Sequence, residues 1–337
     1  MKRFIAVPLA IIATVGLAAC GEKEDPTGAP GKERITLLLD FFPNADHAGI
    51  YQALESGEFE RAGLDVRIEA PADPSAPLKL LQAGKADLAI SYEPELLLAR
   101  DKGADVVSIG ALVQKPLTSI MAIGKTKLDS PADLENHTIG TAGIPYQSAY
   151  LKTILRDAGA DPTRIKEVDV GFDLSPALIS KRVYATLGAF WNYEGIALER
   201  KGREPKIIRV DEAGVPTYNE LIIVTRTEAA RTKAATFRRF LQALARGHES
   251  LRENPDEGVS ALLKANPDLE RGLQAAVVEA TLPVFFPSDE GKPWGWQEPR
   301  EWRAYSEWMY DNELITQPAS PGALTNDLLP GEGFEGS

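Results

Sequence analysis

The sequence predicts an α/β protein of two lobes, each a largely parallel sheet covered by helices, with two strands crossing between them as a hinge. Three observations carry this. Short β-branched or aliphatic runs alternate with amphipathic helical stretches from Ile35 onward. A second series of the same kind begins after residue 119. The roughly 300 residues involved also exceed what one hydrophobic core usually organises.

In the first series, strands are expected over 35–42, 65–70, 87–92 and 105–112. In the second of these, Val66, Ile68 and Ala70 alternate with Asp65, Arg67 and Glu69. Helices are expected over 47–56, 76–83 and 95–102, closed by Gly57, Gly84 and Gly103. The run Ser119-Ile120-Met121-Ala122-Ile123 leads into the second series. There Ser130, Pro131 and Asp133 form a helix start, with Ser130 as the cap and an acid three residues later. Strands are expected over 138–141, 166–170, 185–191 and 206–210. After a further apolar run over 219–225 the chain reads as almost wholly helical from 229 to 315.

Those last helices must cover something, so the economical arrangement has 119–123 crossing to lobe two and 221–225 returning. Lobe one is then 34–120 with 221–337, and lobe two is 121–220. In open α/β sheets ligands bind at the carboxyl ends of the strands, and here two such edges would face each other across a cleft that can close.

At the N-terminus Lys2 and Arg3 precede an apolar stretch from Phe4 to Ala19, and Gly21 opens a polar run. This order is that of a signal peptide, expected over 1–19. Leu17-Ala18-Ala19-Cys20 is similar to the lipobox of bacterial lipoproteins, which implies cleavage before Cys20 and its acylation. Cys20 is the sole cysteine of the sequence, and a lipid cap would also protect an unpaired thiol in an oxidising compartment. Residues 20–33 carry too little apolar surface to fold and read as a tether. A net charge of −12 disfavours nucleic acid and anionic membrane surfaces as partners.

The strongest local signal is the run from Asp40 through Phe41, Phe42, Pro43, Asn44, Ala45, Asp46 and His47 to Tyr51, where a strand ends in an acid and two aromatics. With it go Gly84 to Pro94, Gly140-Thr141-Ala142-Gly143, and Trp191-Asn192-Tyr193-Glu194-Gly195. Together these segments resemble the NMT1/THI5-like family, in particular its bacterial binding proteins for thiamine pyrimidine precursors. The resemblance implies a type II periplasmic-binding-protein fold and a small-molecule ligand such as an aminopyrimidine. It places Asp40, Tyr92, Glu93 and Trp191 to Glu194 near the cleft.

Chemistry points the same way. Asp40, Glu93 and Glu194 each end a predicted strand, which would gather three carboxylates that repel sulfonate, nitrate or phosphate and suit a ligand rich in N–H donors. Phe41, Phe42, Tyr92, Trp191 and Tyr193 could sandwich a flat ring. Several alternatives attach to these residues. Phe41 and Phe42 would straddle a strand, so one faces the cleft and the other the core. Asp40 or Asn44 can instead cap the following helix, and His47 suits a helix-start hydrogen bond as well as a ligand contact. Trp294, Trp296, Trp302 and Trp308 read as packing or surface residues. No metal is expected, since His137 and His248 lack ligand spacing, and no cofactor either.

The family the chain resembles also contains synthases that make the thiamine pyrimidine from histidine and pyridoxal phosphate. The resemblance places Ser91 where those enzymes hold the cofactor on a lysine, and this sequence has no cysteine cluster. A receptor is therefore expected and not an enzyme: lipid-anchored on the extracytoplasmic face of the cell membrane, acting as a monomer with ABC permease and ATPase subunits. Riboflavin-like rings, taurine or alkanesulfonates are the alternative ligands.

Overall fold

In the computed structural model, residues 31–318 and 321–331 are described. The expected signal peptide, Cys20 and most of the tether lie outside them. The first series runs β1 (Glu33–Leu38), α1 (Ala48–Glu55), α2 (Glu58–Arg61), β2 (Leu64–Glu69), α3 (Pro77–Gln82), β3 (Leu88–Ser91), α4 (Glu93–Asp101) and β4 (Val106–Val113). The second runs β5 (Thr118–Ile123), β6 (Thr138–Thr141), α5 (Pro145–Asp157), β7 (Lys166–Asp169), α6 (Leu174–Ile179), β8 (Ala185–Phe190), α7 (Ile196–Arg200) and β9 (Pro205–Arg209). The chain then gives β10 (Leu221–Arg226) and α8 (Thr227–Thr232), α9 (Ala234–Glu253), α10 (Pro255–Ala265), α11 (Arg271–Thr281) and α12 (Pro299–Asp311).

Two five-stranded sheets result, in the orders β2-β1-β3-β10-β4 and β7-β6-β8-β5-β9. Each has a parallel part, β2-β1-β3 or β7-β6-β8. Each also takes one antiparallel strand, β10 or β5, flanked on both sides. The type II periplasmic-binding-protein architecture expected from the sequence is this pair of lobes.

The crossings differ in place from the expectation. Thr118 at the start of β5 already pairs with Phe190 of β8, and Leu221 at the start of β10 pairs with Val113 of β4. Both strands therefore lie wholly within one sheet, and the chain crosses in the connections 114–117 and 210–220. The helix start at Ser130 is real, with reciprocal capping by Asp133, but it yields one 3-10 turn over Pro131–Leu134. The C-terminal region is mainly helical, interrupted over 266–270 and over 285–298, the latter rich in prolines and glycines. Trp294 and Trp302 are buried there.

The elements that carry the first half of the cleft are held by an unusually close crossing of α1 and α9. A Cβ on Gly247 would meet the Ala53 Cβ at 2.5 Å and the Gly49 carbonyl oxygen at 2.6 Å. Backbone cannot yield as a flexible side chain can. Gly247→Ala is expected to cost roughly 1 to 3 kcal/mol, the usual scale of overpacking. Urea unfolding checks this, and an unchanged midpoint would mean that the two helices separate freely.

Candidate ligand-binding cleft

β1 ends at Leu38, and the chain leaves the sheet before Asp40, so strand alternation no longer governs the next residues. Asp40 is buried, with both oxygens occupied. His47 Nε2 lies 2.9 Å from Oδ1, and the Tyr92 hydroxyl donates to Oδ2 at 2.8 Å. The Asn44 backbone N–H donates to His47 Nδ1 at 3.3 Å, which makes Nδ1 the acceptor and leaves Nε2–H to donate to Asp40. Asn44 caps the 3-10 turn Ala45–His47, its side chain accepting from the Asp46 N–H at 2.8 Å. Of the two possible caps it is thus Asn44 that serves, while His47 acts as a fixed support behind Asp40.

On the facing lobe, β8 ends in a single π turn over Trp191–Gly195. Glu194 closes that turn by accepting the Phe190 N–H at 2.8 Å. Gln147, at the start of α5, accepts from the Ala142 N–H at 2.8 Å and lies against Gly188. Gly188 sits at φ 114, and a Cβ there would come within 2.4 Å of the Gln147 amide nitrogen, so this wall requires glycine.

Residues of both lobes line a narrow cleft between them. Asp40, Phe41, Asn44, Asp46 and Tyr92 line it from the first lobe; Tyr146, Gln147, Gly188, Tyr193 and Glu194 are among those that line it from the second. Four rings cluster beside it. Phe41 and Phe42 lie 4.5 Å apart, Phe172 is 4.7 Å from Phe41, and Tyr193 is 5.8 Å from Phe42. Neither phenylalanine enters the core, because both follow the end of the strand.

Burial raises the pKa of Glu194 from 4.5 to about 7, against the hydrogen bond from Phe190. Asp46 is raised to about 6 by burial, which outweighs the neighbouring His47 and the hydrogen bond from Asn192. Both acids therefore change charge near neutrality, in a cleft whose described lining contains no lysine or arginine.

Two expected residues are elsewhere. Glu93 opens α4 and turns beneath the helix, where it accepts the Asn219 N–H at 2.7 Å and burial holds its carboxyl well above the ordinary range. Trp191 donates its indole N–H to the Pro116 carbonyl at 3.1 Å and stacks under Arg209. Both serve the crossings and not the cleft. The third cleft carboxylate is Asp46, Tyr146 and Gln147 complete the walls, and Phe172 packs behind Phe41. The carboxyl-end rule applied to β6 would have found Tyr146 and Gln147, which follow that strand as Asp40 follows β1.

A second constellation ties the crossings together. Glu220, fully buried, accepts the N–H groups of Leu117 and Thr118 at 2.6 and 2.8 Å, the Thr118 hydroxyl at 2.9 Å and the Tyr218 hydroxyl at 3.0 Å. α12 packs over the same place, with Trp302 donating to the Asn219 side chain at 2.8 Å and Tyr305 bonded to Tyr150.

Comparisons with known proteins agree with this architecture. The family model described as NMT1/THI5 like matches residues 44–258. The chain is 33% identical to the formylaminopyrimidine-binding protein of Halalkalibacterium halodurans, over 94% of this chain and 96% of that one. It is 28% identical to a 4-amino-5-hydroxymethyl-2-methylpyrimidine phosphate synthase of Legionella pneumophila, over 75% and 80%. Among solved structures, the periplasmic aliphatic sulphonate binding protein of Escherichia coli superposes with a TM-score of 0.64 at 17% identity, over 85% of this chain and 95% of that one. With its two mixed sheets, its interlobe cleft and a family match across most of both lobes, the chain belongs to the NMT1/THI5-like family.

Proposed function

We propose that this protein is the extracytoplasmic solute-binding receptor of an ABC importer, and that its cleft closes on a thiamine pyrimidine precursor or a closely related flat nitrogen heterocycle. The observation that carries the reading is the lining. Asp40, Asp46 and Glu194 converge beside aromatic rings, with no cation among the described lining residues to balance them. Such a site repels sulfonates and accepts N–H donors, and an aminopyrimidine offers an exocyclic amine next to a ring nitrogen. The similarity to a formylaminopyrimidine-binding protein supports the same ligand class.

A synthase is the rival, since several relatives carry that name. The receptor reading is favoured by Ser91, which stands where the resemblance expects a cofactor-bearing lysine and donates its hydroxyl to Glu95 at 2.7 Å. In this reading lobe one comprises 34–120 and 221–337, lobe two comprises 121–220, and the connections 114–117 and 210–220 form the hinge. Asp40, Phe41, Phe42, Asn44, Tyr193 and Glu194 contact the ligand, with Tyr92 and His47 fixing Asp40. Cys20 carries the lipid, and the protein acts as a monomer. Cys20→Ser is expected to release the protein from the membrane fraction of its host; retention to the wild-type extent would remove the anchor from the account.

Closure follows from the lining, because Asp40 and Glu194 come from different lobes and reach one small ring together only when the cleft is shut. Small-angle scattering is expected to show a smaller radius of gyration with saturating hydroxymethylpyrimidine than without it. Identical profiles with binding established separately would leave a rigid pocket.

A further inference from the structure

The two carboxylate oxygens of Asp46 have different fates. Oδ1 accepts a hydrogen bond of 2.7 Å from Asn192 Nδ2, which comes from the π turn of the second lobe. The same amide donates to Thr281 Oγ1 at 2.7 Å, and the threonine hydroxyl donates in turn to the Val277 carbonyl of its own helix at 2.7 Å. The first lobe thus presents an aspartate and a threonine, from the 3-10 turn and from α11, as a paired socket for one asparagine of the second. All three residues are buried. Oδ2 of Asp46, by contrast, is buried with no hydrogen-bond partner among the described residues, in a residue that lines the cleft.

We propose that Asp46 couples ligand recognition to lobe closure: Oδ1 latches the second lobe through Asn192, while Oδ2 takes an N–H of the ligand, so that closing without ligand strands a carboxylate oxygen away from water. This rests on the reading of the cleft as a site for an N–H-rich heterocycle. With the lobes apart, water reaches both oxygens. Closure replaces the water on Oδ1 with Asn192 and removes the water on Oδ2 without a replacement. A buried acceptor left unmade is penalised far more than a made hydrogen bond is rewarded, so the empty receptor resists the closed state. A ligand N–H at Oδ2 removes that penalty, and the ligand's differential affinity for the closed arrangement is what shifts the population. A sulfonate or carboxylate could not do this, since it would bring a second acceptor to the same oxygen. Asp46 then acts as a filter against anionic ligands as well as a gate against empty closure.

Two variants separate the halves of the device. Asp46→Asn keeps a carbonyl acceptor for Asn192 and removes the charge that closure strands. Asn192→Ala removes the latch and leaves Oδ2 unchanged. The ligand-free arm is small-angle scattering: empty Asp46→Asn is expected to have a smaller radius of gyration than empty wild type, and equal radii would overturn the gate. The ligand arm is calorimetry with hydroxymethylpyrimidine. Each variant is expected to weaken binding by about tenfold or more, although Asn192 is spent on the socket. The Asp46→Ala, Asn192→Ala double variant is expected to lose no more than Asp46→Ala alone, because both effects pass through one carboxylate. Additive losses would overturn the coupling. If wild type bound no pyrimidine while empty Asp46→Asn still closed, the gate would stand and the ligand assignment would fall. Circular dichroism of each variant, compared with wild type, establishes that the changes are not unfolding.

Discussion

Glu220→Ala is expected to lower the unfolding free energy by roughly 2 to 5 kcal/mol, the scale for leaving two buried backbone donors without an acceptor. The side chain is fully buried and accepts four hydrogen bonds, two of them from the backbone N–H groups of Leu117 and Thr118. Alanine leaves those two donors in the interior with nothing to bind, and neither can turn toward water. Burial lifts the pKa of Glu220 to about 7, opposed by these same hydrogen bonds. Glutamine keeps one carbonyl oxygen for the amides, so Glu220→Gln is expected to lose less. Urea unfolding of the two variants tests this; a cost below about 1 kcal/mol for alanine would mean that the crossings are held by packing of α12 alone.

Glu194→Gln is expected to weaken ligand binding while stabilising the empty protein at alkaline pH. The binding loss is roughly 1.5 to 3 kcal/mol, the worth of a hydrogen bond to a charged group. The stability effect follows from linkage. The folded-state pKa of Glu194 is raised from 4.5 to about 7. Between those values the folded protein holds a proton that the unfolded chain has lost, so its stability falls as pH rises through that window. Glutamine has no proton to lose and still has an acceptor for the Phe190 N–H. The stability of the variant relative to wild type should therefore increase by roughly 3 kcal/mol from pH 4 to pH 8. Thermal or urea unfolding at the two pH values reads it directly. A difference that does not change with pH would show that Glu194 is solvated in the empty receptor.

This combination of costly burial and functional position explains which parts of the molecule were legible in the sequence. Strands β1 to β4 and β6 to β9 announced themselves because each carries its own alternation or aliphatic run. The glycines after α1, α3 and α4 adopt the left-handed conformation that ends those helices. The loop 40–47 stood out because polar and aromatic residues replaced the strand pattern abruptly.

Glu93 shared that signature and went elsewhere. As the first residue of α4 its side chain folds under the helix toward Asn219, a direction that strand-end position alone does not determine. Trp191 failed for a related reason: the π turn rotates it away from the cleft and brings Asn192 and Tyr193 inward. Asp46, Phe172 and Gln147 come from turns and helix starts that have no period, and only the sheet edges bring them together. Asp46 lies within the run that carries the resemblance, yet nothing in its spacing separates it from Asp40.

Three carboxylates converging beside aromatic rings would make the cleft select a flat N–H-donating heterocycle over an anion. Isothermal titration calorimetry of the purified mature protein with formylaminopyrimidine, hydroxymethylpyrimidine and an alkanesulfonate tests it most directly. Saturable one-to-one binding of a pyrimidine, with recovery of the unchanged compound and no detectable heat from the sulfonate, is the result predicted. Binding of the sulfonate with no binding of either pyrimidine would contradict it.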